Sequence, residues 1–208
     1  MSDQQTSGRF IVLDGGEGCG KTTQIQLLRE RLAKTGREVV VVRDPGTTRI
    51  GELIRSILLN PDHNEMGLRC EMLLYMAARA QMMAETIGPA LDRGAIVLGD
   101  RFVSSTLSYQ LGGDGLTADE IRTTARIALR DRMPQRTVVL DMPVERSIAR
   151  VTRAKDRIEQ RPIEYHQRVR SNFLDQVRND PAGYRVVDAD RDPQMVHHDV
   201  WNAIAGVV

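Results

Sequence analysis

Cysteine is scarce in this chain. Cys19 and Cys70 are the only two in 208 residues, too few for a disulfide framework or a four-thiolate zinc site. Charge of one sign is also missing, since 29 basic against 28 acidic side chains leave a net +1. A general binder of nucleic acid or of membrane surfaces working through bulk charge is therefore disfavoured. No apolar run approaches the roughly 20 residues that span a bilayer. The N-terminus, Met-Ser-Asp-Gln-Gln-Thr-Ser-Gly, lacks the basic-then-apolar order of a secretion signal. His63, His166, His197 and His198 have no metal-ligand spacing with cysteines or acids and read as structural or solvated. Internal repeats, low-complexity tracts and linkers are absent, so residues 1–208 read as one domain. These absences leave a soluble, cytoplasmic, compact chain, and 41% hydrophobic with 27% charged residues is ordinary globular composition.

Short runs rich in Val, Ile and Leu alternate with amphipathic stretches. Phe10–Asp14, Val39–Val42, Ala95–Leu98, Thr137–Asp141 and Tyr184–Val187 lack the polar alternation of a half-exposed strand. They predict strands of a parallel sheet, buried on both faces. Helical spacing places helices over Lys21–Lys34, with Gly36 as a stop, and over Ile50–Leu59, ended by Pro61. Glu65–Arg93 predicts one long helix, bent at Gly88-Pro89. Thr117-Ala-Asp-Glu120 has the pattern of a capping box, opening a helix to Arg130. Pro143–Arg153, Ile163–Arg178 and Pro193–Ala205 complete the set, the last N-capped by Asp192. Such strand-helix alternation is the α/β signature.

Gly15-Gly-Glu-Gly-Cys-Gly20-Lys21-Thr22 matches the phosphate-binding loop pattern GxxxxGK[ST] and sits between a strand and a helix, as its mechanism requires. Glycines allow positive φ and turn backbone N–H groups inward around phosphate oxygens. The helix N-terminus adds unpaired donors and the positive end of its dipole. In this pattern Gly15, Gly16, Glu17, Gly18, Cys19 and Gly20 form the cradle, with Thr22 and Thr23 opening the helix. Lys21 neutralises β/γ-phosphate charge and the Thr22 hydroxyl ligates Mg²⁺. Lys21 is one of three lysines against 26 arginines, so a lysine at this slot is not background. Cys19 reads as a small loop filler. The loop establishes nucleotide binding but not the fate of the phosphate, since kinases, GTPases and motor ATPases share it. The base-reading Asn-Lys-x-Asp segment of GTPases is absent, and large motor ATPases usually need more chain.

Four segments follow the loop in order: Arg43-Asp-Pro-Gly46-Thr-Thr48; Tyr75-Met-Ala-Ala-Arg79-Ala-Gln81; Asp100-Arg101-Phe102 with Ser104-Ser-Thr-Leu-Ser-Tyr109-Gln110; and Asp156-Arg157-Ile158-Glu159 with Tyr165-His166 and Arg168-Val-Arg170. Together they resemble the thymidylate kinases, nucleoside monophosphate kinases that phosphorylate dTMP, over nearly the whole chain. The corresponding family segments are Arg-Glu-Pro-Gly-Gly-Thr, Phe-Ala-Ala-Asp-Arg-Ala-Gln, Asp-Arg-Tyr with Ser-Ser-x-Ala-Tyr-Gln, and the lid with the helix after it. The resemblance implies a three-layer P-loop NTPase fold of class α/β: a five-stranded parallel sheet flanked by helices, with a short lid over residues 150–162. It also implies ATP as co-substrate with Mg²⁺, dTMP as the small-molecule acceptor, no nucleic-acid or membrane partner, and a homodimer.

Each segment carries an expected role. Arg43, at a strand end where ligands bind in such sheets, is expected to hold the dTMP phosphate; pairing with Asp44 is its structural alternative. Tyr75 would stack on the base and Arg79, one turn on, would reach a thymine carbonyl, although Tyr75 also fits a core stripe with Met72. Asp100 takes the place of an acid near Mg²⁺, with an ion pair to another arginine as its alternative, and Arg101 would bridge donor and acceptor phosphates. Ser105 and Thr106 are expected at the base or, alternatively, in a helix cap or turn; Gln110 is expected at the substrate, Tyr109 against the sugar, and Glu17 either beside the sugar 3′-hydroxyl or as a solvated loop acid. The basic stretch Arg150–Arg157 is either a solvated face or a lid; as a lid it places Arg150 at ATP and makes Arg153 catalytic, alongside Lys21 and Arg101. Arg157 either holds that lid together or touches ATP. Departures from the family pattern are Asp44, Thr47, Ala78, Phe102, Leu111 and the short lid. Two other functions stay open: a P-loop kinase for another small acceptor, and a non-catalytic nucleotide-binding regulator.

Overall fold

The computed structural model describes residues 7–111, 115–152 and 154–208. Each apolar run becomes a strand: β1 (Arg9–Gly15), β2 (Val39–Arg43), β3 (Ile96–Asp100), β4 (Arg136–Asp141) and β5 (Tyr184–Asp188). Paired strands are parallel, in the order β2-β3-β1-β4-β5. The register puts Asp100 beside both Leu13 and Arg43, and Gly15 beside Leu140. The second and third strands thus lie on one side of β1 and the fourth and fifth on the other. That reversal opens a crevice at the carboxyl ends of the central strands.

Burial explains why the central runs are apolar at consecutive positions. Phe10 and Val12 of β1 join Met72, Val97 and Phe102 in a cluster on one face, while Ile11 and Leu13 pack with Leu28, Val138 and Val200 on the other. The edge strands differ from expectation: Val41 in β2 and Val186 in β5 are 40% and 47% exposed. Each has only one neighbouring strand, so cover on both faces is confined to β1, β3 and β4.

The flanking layers are, in chain order among the described residues, α1 (Lys21–Ala33), α2 (Arg49–Leu59), α3 (Leu68–Met82), α4 (Gly88–Asp92), α5 (Val103–Tyr109), α6 (Ala118–Leu129), α7 (Val144–Ala149), α8 (Ile163–Asn179) and α9 (Pro193–Ile204). Helices α1 and α9 contribute Leu28, Leu32, Val200 and Ile204 to one core cluster; α3, α5 and α6 contribute Met72, Val103 and Ile121 to the other. The three-layer α/β arrangement expected from the sequence is the one observed.

Three elements depart from the sequence reading. The long helix anticipated over Glu65–Arg93 begins only at Leu68, after Gly67, and is interrupted by a π turn over Met83–Ile87. Pro89 has no N–H and its ring would press on the carbonyl four residues back. The widened turn, in which Gly88 N–H donates to Met83 O, relieves that pressure one turn earlier than the expected bend. The helix expected over Pro143–Arg153 stops at Ala149, before β-branched Val151 and Thr152. Arg150 is therefore its C-cap, and Arg153 lies outside the described residues. Finally, α5 forms where the sequence pattern predicts no helix, and all seven of its residues are buried.

The capping box of α6 is present as anticipated. Thr117 Oγ1 accepts from Glu120 N–H (3.2 Å), and the Glu120 carboxylate accepts from Thr117 N–H (2.8 Å). Thr117→Ala should therefore cost about 1 kcal/mol. For a chain of this size that is about 2–4 °C in melting temperature, readable by thermal unfolding. An unchanged melting temperature would mean the cap is satisfied by water.

Candidate functional site

The loop between β1 and α1 has the geometry its glycines require. Gly15, Gly18 and Gly20 take φ of 133°, 70° and 91°, a region that side chains disfavour. Gly18 is constrained twice, because a Cβ there would lie 2.1 Å from Ser147 O. Gly20 caps α1, whose first residues, Lys21 to Thr23, follow directly. Lys21 is 8% exposed and its Nζ donates to Gly16 O (2.6 Å) and Gly15 O (3.2 Å). Thr22 and Thr23 face outward on the first turn. Cys19 is buried in the core with its Sγ 3.5 Å from Lys21 Nζ, which suits a loop filler.

A cavity of about 780 Å³ opens beside this loop. Glu17, Gly18, Gly20, Lys21 and Thr22 line it together with the strand-end residues Arg43, Asp100 and Arg101. Helix α3 supplies Tyr75 and Arg79; α5 and the residue after it supply Ser105, Thr106, Tyr109 and Gln110; Arg150 also reaches it. Gly15, Gly16 and Cys19 instead line a smaller void behind the loop. Residues scattered over more than a hundred positions of sequence thus meet at one place.

Arg101 stands at the junction. Its φ of 67° is uncommon for a side-chain-bearing residue, and its guanidinium donates to Gly15 O (2.8 Å), Ser105 Oγ (3.2 Å) and the Glu17 carboxylate. Burial opposes its charge, but Glu17, Tyr109, Asp14 and Asp100 outweigh burial and hold the group well above its ordinary pKa. For Tyr109 burial acts in the other direction and raises the phenol far above its usual range, against the pull of Arg101. Tyr109 Oη lies 3.4 Å from Glu17, so the phenol is a neutral donor beside a carboxylate.

Sequence reasoning missed the carboxylate beneath Arg101. Asp14 is fully buried and accepts from Gly15 N–H (2.9 Å), Ser104 Oγ (2.5 Å), Ser105 Oγ (2.8 Å) and Arg101 Nη1 (3.4 Å). An acid closing an apolar strand is the signal that singled out Asp100, and it was equally present here.

Arg79 is more completely engaged than anticipated. It is fully buried; Nε and Nη2 meet Asp44 Oδ2 at 2.7 Å, Nη1 donates to Thr106 Oγ1 (2.8 Å) and Nη2 to Phe102 O (2.8 Å). Burial pushes the Asp44 carboxyl up, while Arg79 pulls it down. Thr106 thus faces Arg79, and Ser105 faces Asp14. Gln110 donates through Nε2 to Glu71 (2.6 Å) rather than standing free at the cavity wall. Arg43 pairs with Glu52 (3.1 Å) and not with Asp44, its anticipated structural partner. Arg150 lies 3.7 Å from Asp190, and Arg157 is a buried partner of Glu71, away from the cavity. Thr47, where the family has glycine, keeps the left-handed backbone (φ 68°); its Oγ1 accepts from Arg43 N–H at 2.8 Å.

No cluster of three His, Cys, Asp or Glu side chains suited to a metal exists among the described residues. Thr22 and Asp100 do line the same cavity, giving one hydroxyl and one carboxylate. That sparse set fits Mg²⁺, which keeps several waters and takes phosphate oxygens instead of an all-protein cage.

A family model described as thymidylate kinase matches residues 13–200. The thymidylate kinase of Pelotomaculum thermopropionicum is 46% identical over 97% of this chain and 94% of its own. That of Bifidobacterium longum is 42% identical over 95% and 96%. A crystal structure of thymidylate kinase from Ehrlichia chaffeensis superposes with a TM-score of 0.79 at 27% identity, covering 95% of this chain and 99% of that one.

Gly18→Ala tests the loop itself. The added methyl meets Ser147 O and a φ that alanine resists, so the loop must move. Titration with a fluorescent triphosphate should show at least a tenfold loss of affinity, a loss of about 1.4 kcal/mol. Unchanged affinity would remove the loop from phosphate binding.

Proposed function

The chain belongs to the thymidylate kinase family, and we propose that its cavity passes the γ-phosphoryl of ATP to dTMP with Lys21, Arg101 and Arg153 as catalytic residues. Family membership makes it an ATP-dependent nucleoside monophosphate kinase of nucleotide biosynthesis, and favours neither a different acceptor nor a non-catalytic regulator. One observation supports the residue assignment above all. A single cavity holds Lys21 and Thr22 of the loop as well as Tyr75, Arg79 and Tyr109, and Arg101 is hydrogen-bonded to both the loop and α5.

The chemistry follows from the acceptor. A nucleotide 5′-phosphate, with a second pKa of about 6, is already a dianionic nucleophile near neutral pH, so no general base is required. What remains is in-line positioning and neutralisation of charge on the migrating group. Lys21 and the loop N–H groups from Gly15 to Thr23 hold the donor phosphates, aided by Arg150. Thr22, with Asp100 nearby, would hold Mg²⁺, which would supply charge neutralisation for the phosphates. Arg101 spans donor and acceptor, and Glu17 and Tyr109 bind the sugar. Tyr75, Arg79, Ser105, Thr106 and Gln110 form the base side. Arg153, from the 150–162 lid, adds a guanidinium to the developing charge, and the lid excludes water that would otherwise hydrolyse ATP.

Arg43 is suited to the acceptor phosphate because its present contact is weak. Both partners of the Arg43–Glu52 pair are about half exposed, and such pairs are worth about 0–1 kcal/mol. A dianionic phosphate can replace Glu52 at little cost. The same reading takes residues 1–208 as one kinase domain, working in the cytoplasm as a homodimer. Among the described residues no helix is long and apolar enough to cross a membrane.

The deciding assay adds acceptors one at a time to enzyme, ATP and Mg²⁺. ADP should appear with dTMP and stay at background without it; equal release with other monophosphates or with none would reassign the acceptor. Lys21→Ala should lower phosphoryl transfer at least about 10³-fold with an unchanged circular dichroism spectrum. Normal turnover would remove Lys21 from the mechanism. Arg43→Ala should raise KM for dTMP far more than KM for ATP, since a charge-assisted contact to one substrate is lost. Equal effects on both would make Arg43 structural.

A further inference from the structure

Arg157 leaves the catalytic machinery but not the site's architecture. Its Nε donates to Leu58 O (2.9 Å) and its backbone N–H to Leu59 O (3.2 Å), at the end of α2. Its Nη2 pairs with Glu71 in the first turn of α3, and both side chains are nearly fully buried. The other Glu71 oxygen accepts from Gln110 Nε2 (2.6 Å), directly after α5. One carboxylate on α3 therefore joins Arg157 to the residue that follows α5. Glu71, Tyr75 and Arg79 recur every four residues along α3, so they share a face, and Gln110 adjoins Tyr109. Ile158, next to Arg157, packs in the same small cluster as Tyr109 and lines the cavity.

We propose, resting on the kinase reading above, that Glu71 is a positioning residue for the acceptor side: clamped between Arg157 and Gln110, it fastens Arg157 and the neighbouring cavity-wall residue Ile158 to the helices carrying Tyr75, Arg79 and Tyr109. Each carboxylate oxygen serves a different element, so displacing one displaces the others. A buried pair of this kind is a poor source of net stability but fixes geometry, because charge-assisted bonds are short and directional. Loss of the clamp acts first on dTMP, whose pocket it frames, and only weakly on ATP, which the P-loop holds. It also loosens the link between acceptor binding and transfer, letting water compete for the phosphoryl group.

The test replaces the whole pair, E71L with R157M, since apolar exchange of both partners leaves no buried charge and keeps the volume. E71D is the second variant, keeping the charge but withdrawing it by one methylene. In both, KM for dTMP should rise on the order of ten- to a hundredfold, with KM for ATP within about twofold. ADP released without dTMP should also grow relative to transfer. Wild-type KM for dTMP and a wild-type hydrolysis-to-transfer ratio in either folded variant would overturn the proposal. So would an equal rise in both KM values, which marks a merely structural pair. If wild-type protein fails to phosphorylate dTMP at all, the kinase reading fails instead, whatever the variants do.

Discussion

Positive charge held out of water is the constraint on which this cavity depends. A phosphoryl-transfer site needs guanidinium groups in a dry place, yet a buried guanidinium left unpaired costs about 3–5 kcal/mol. The chain answers with a carboxylate for each: Asp14 and Glu17 for Arg101, Asp44 for Arg79, Glu71 for Arg157. These pairs do more than cancel charge. Each guanidinium also donates to a backbone carbonyl, Gly15 O, Phe102 O or Leu58 O, so its plane is fixed by two kinds of acceptor at once. The orientation of the arginines is thereby set before any substrate arrives.

The sheet explains where the acids come from. Asp100 and Asp141 close β3 and β4, Asp14 is the last residue but one of β1, and Asp44 follows the last residue of β2. Parallel strands bring all these ends to one edge, and the reversal of strand order at β1 leaves that edge open for a ligand. A ring of carboxylates at the mouth of a phosphate site would repel its ligand if it stood alone. Asp14, Asp44 and Asp141 are paired with Arg101, Arg79 and Arg170, which cancels most of that charge, and the attraction for phosphate is left to Lys21, the loop N–H groups and the dipole of α1. The left-handed backbone at Arg101 belongs to the same arrangement. It turns the side chain back over the loop, where Gly15 O and Glu17 wait for it.

The fold was legible because its signals are local and periodic. Apolar runs, the GxxxxGK[ST] loop and the Thr117–Glu120 box each announce themselves within a few residues. What escaped was decided by contacts distant in sequence. Helix α5 is rich in serine and threonine, which favour caps and turns, and only its burial between the sheet and α8 makes it a helix. Edge exposure at Val41 and Val186 follows from strand order, which composition does not encode. Among site residues, those of the loop could be placed from spacing alone. Asp14 ends the apolar run Phe10–Asp14 and carried the same signal as Asp100, whereas Glu71 could not be placed, because a buried acid looks like any other acid until its donors come from Arg157 or Gln110.

Burial also divides the arginines by task. Arg79, in the cavity wall, and Arg157 are buried in ion pairs with Asp44 and Glu71, and exchanging a partner would leave a bare charge in low dielectric. Arg43 and Arg150 lie about half exposed against Glu52 and Asp190, in pairs that solvent screens and a phosphate can displace. Arg101 is intermediate: mostly buried, yet still in contact with the cavity. A gradient from sealed to exchangeable is what a reaction with two substrates and a transition state demands. Exchangeable cations capture phosphates that must later leave, and sealed ones hold the walls at a constant shape. The intermediate arginine, rigid but uncovered, is the one able to follow charge as it moves from donor to acceptor, because its own position is already fixed and needs no reorganisation when that charge develops.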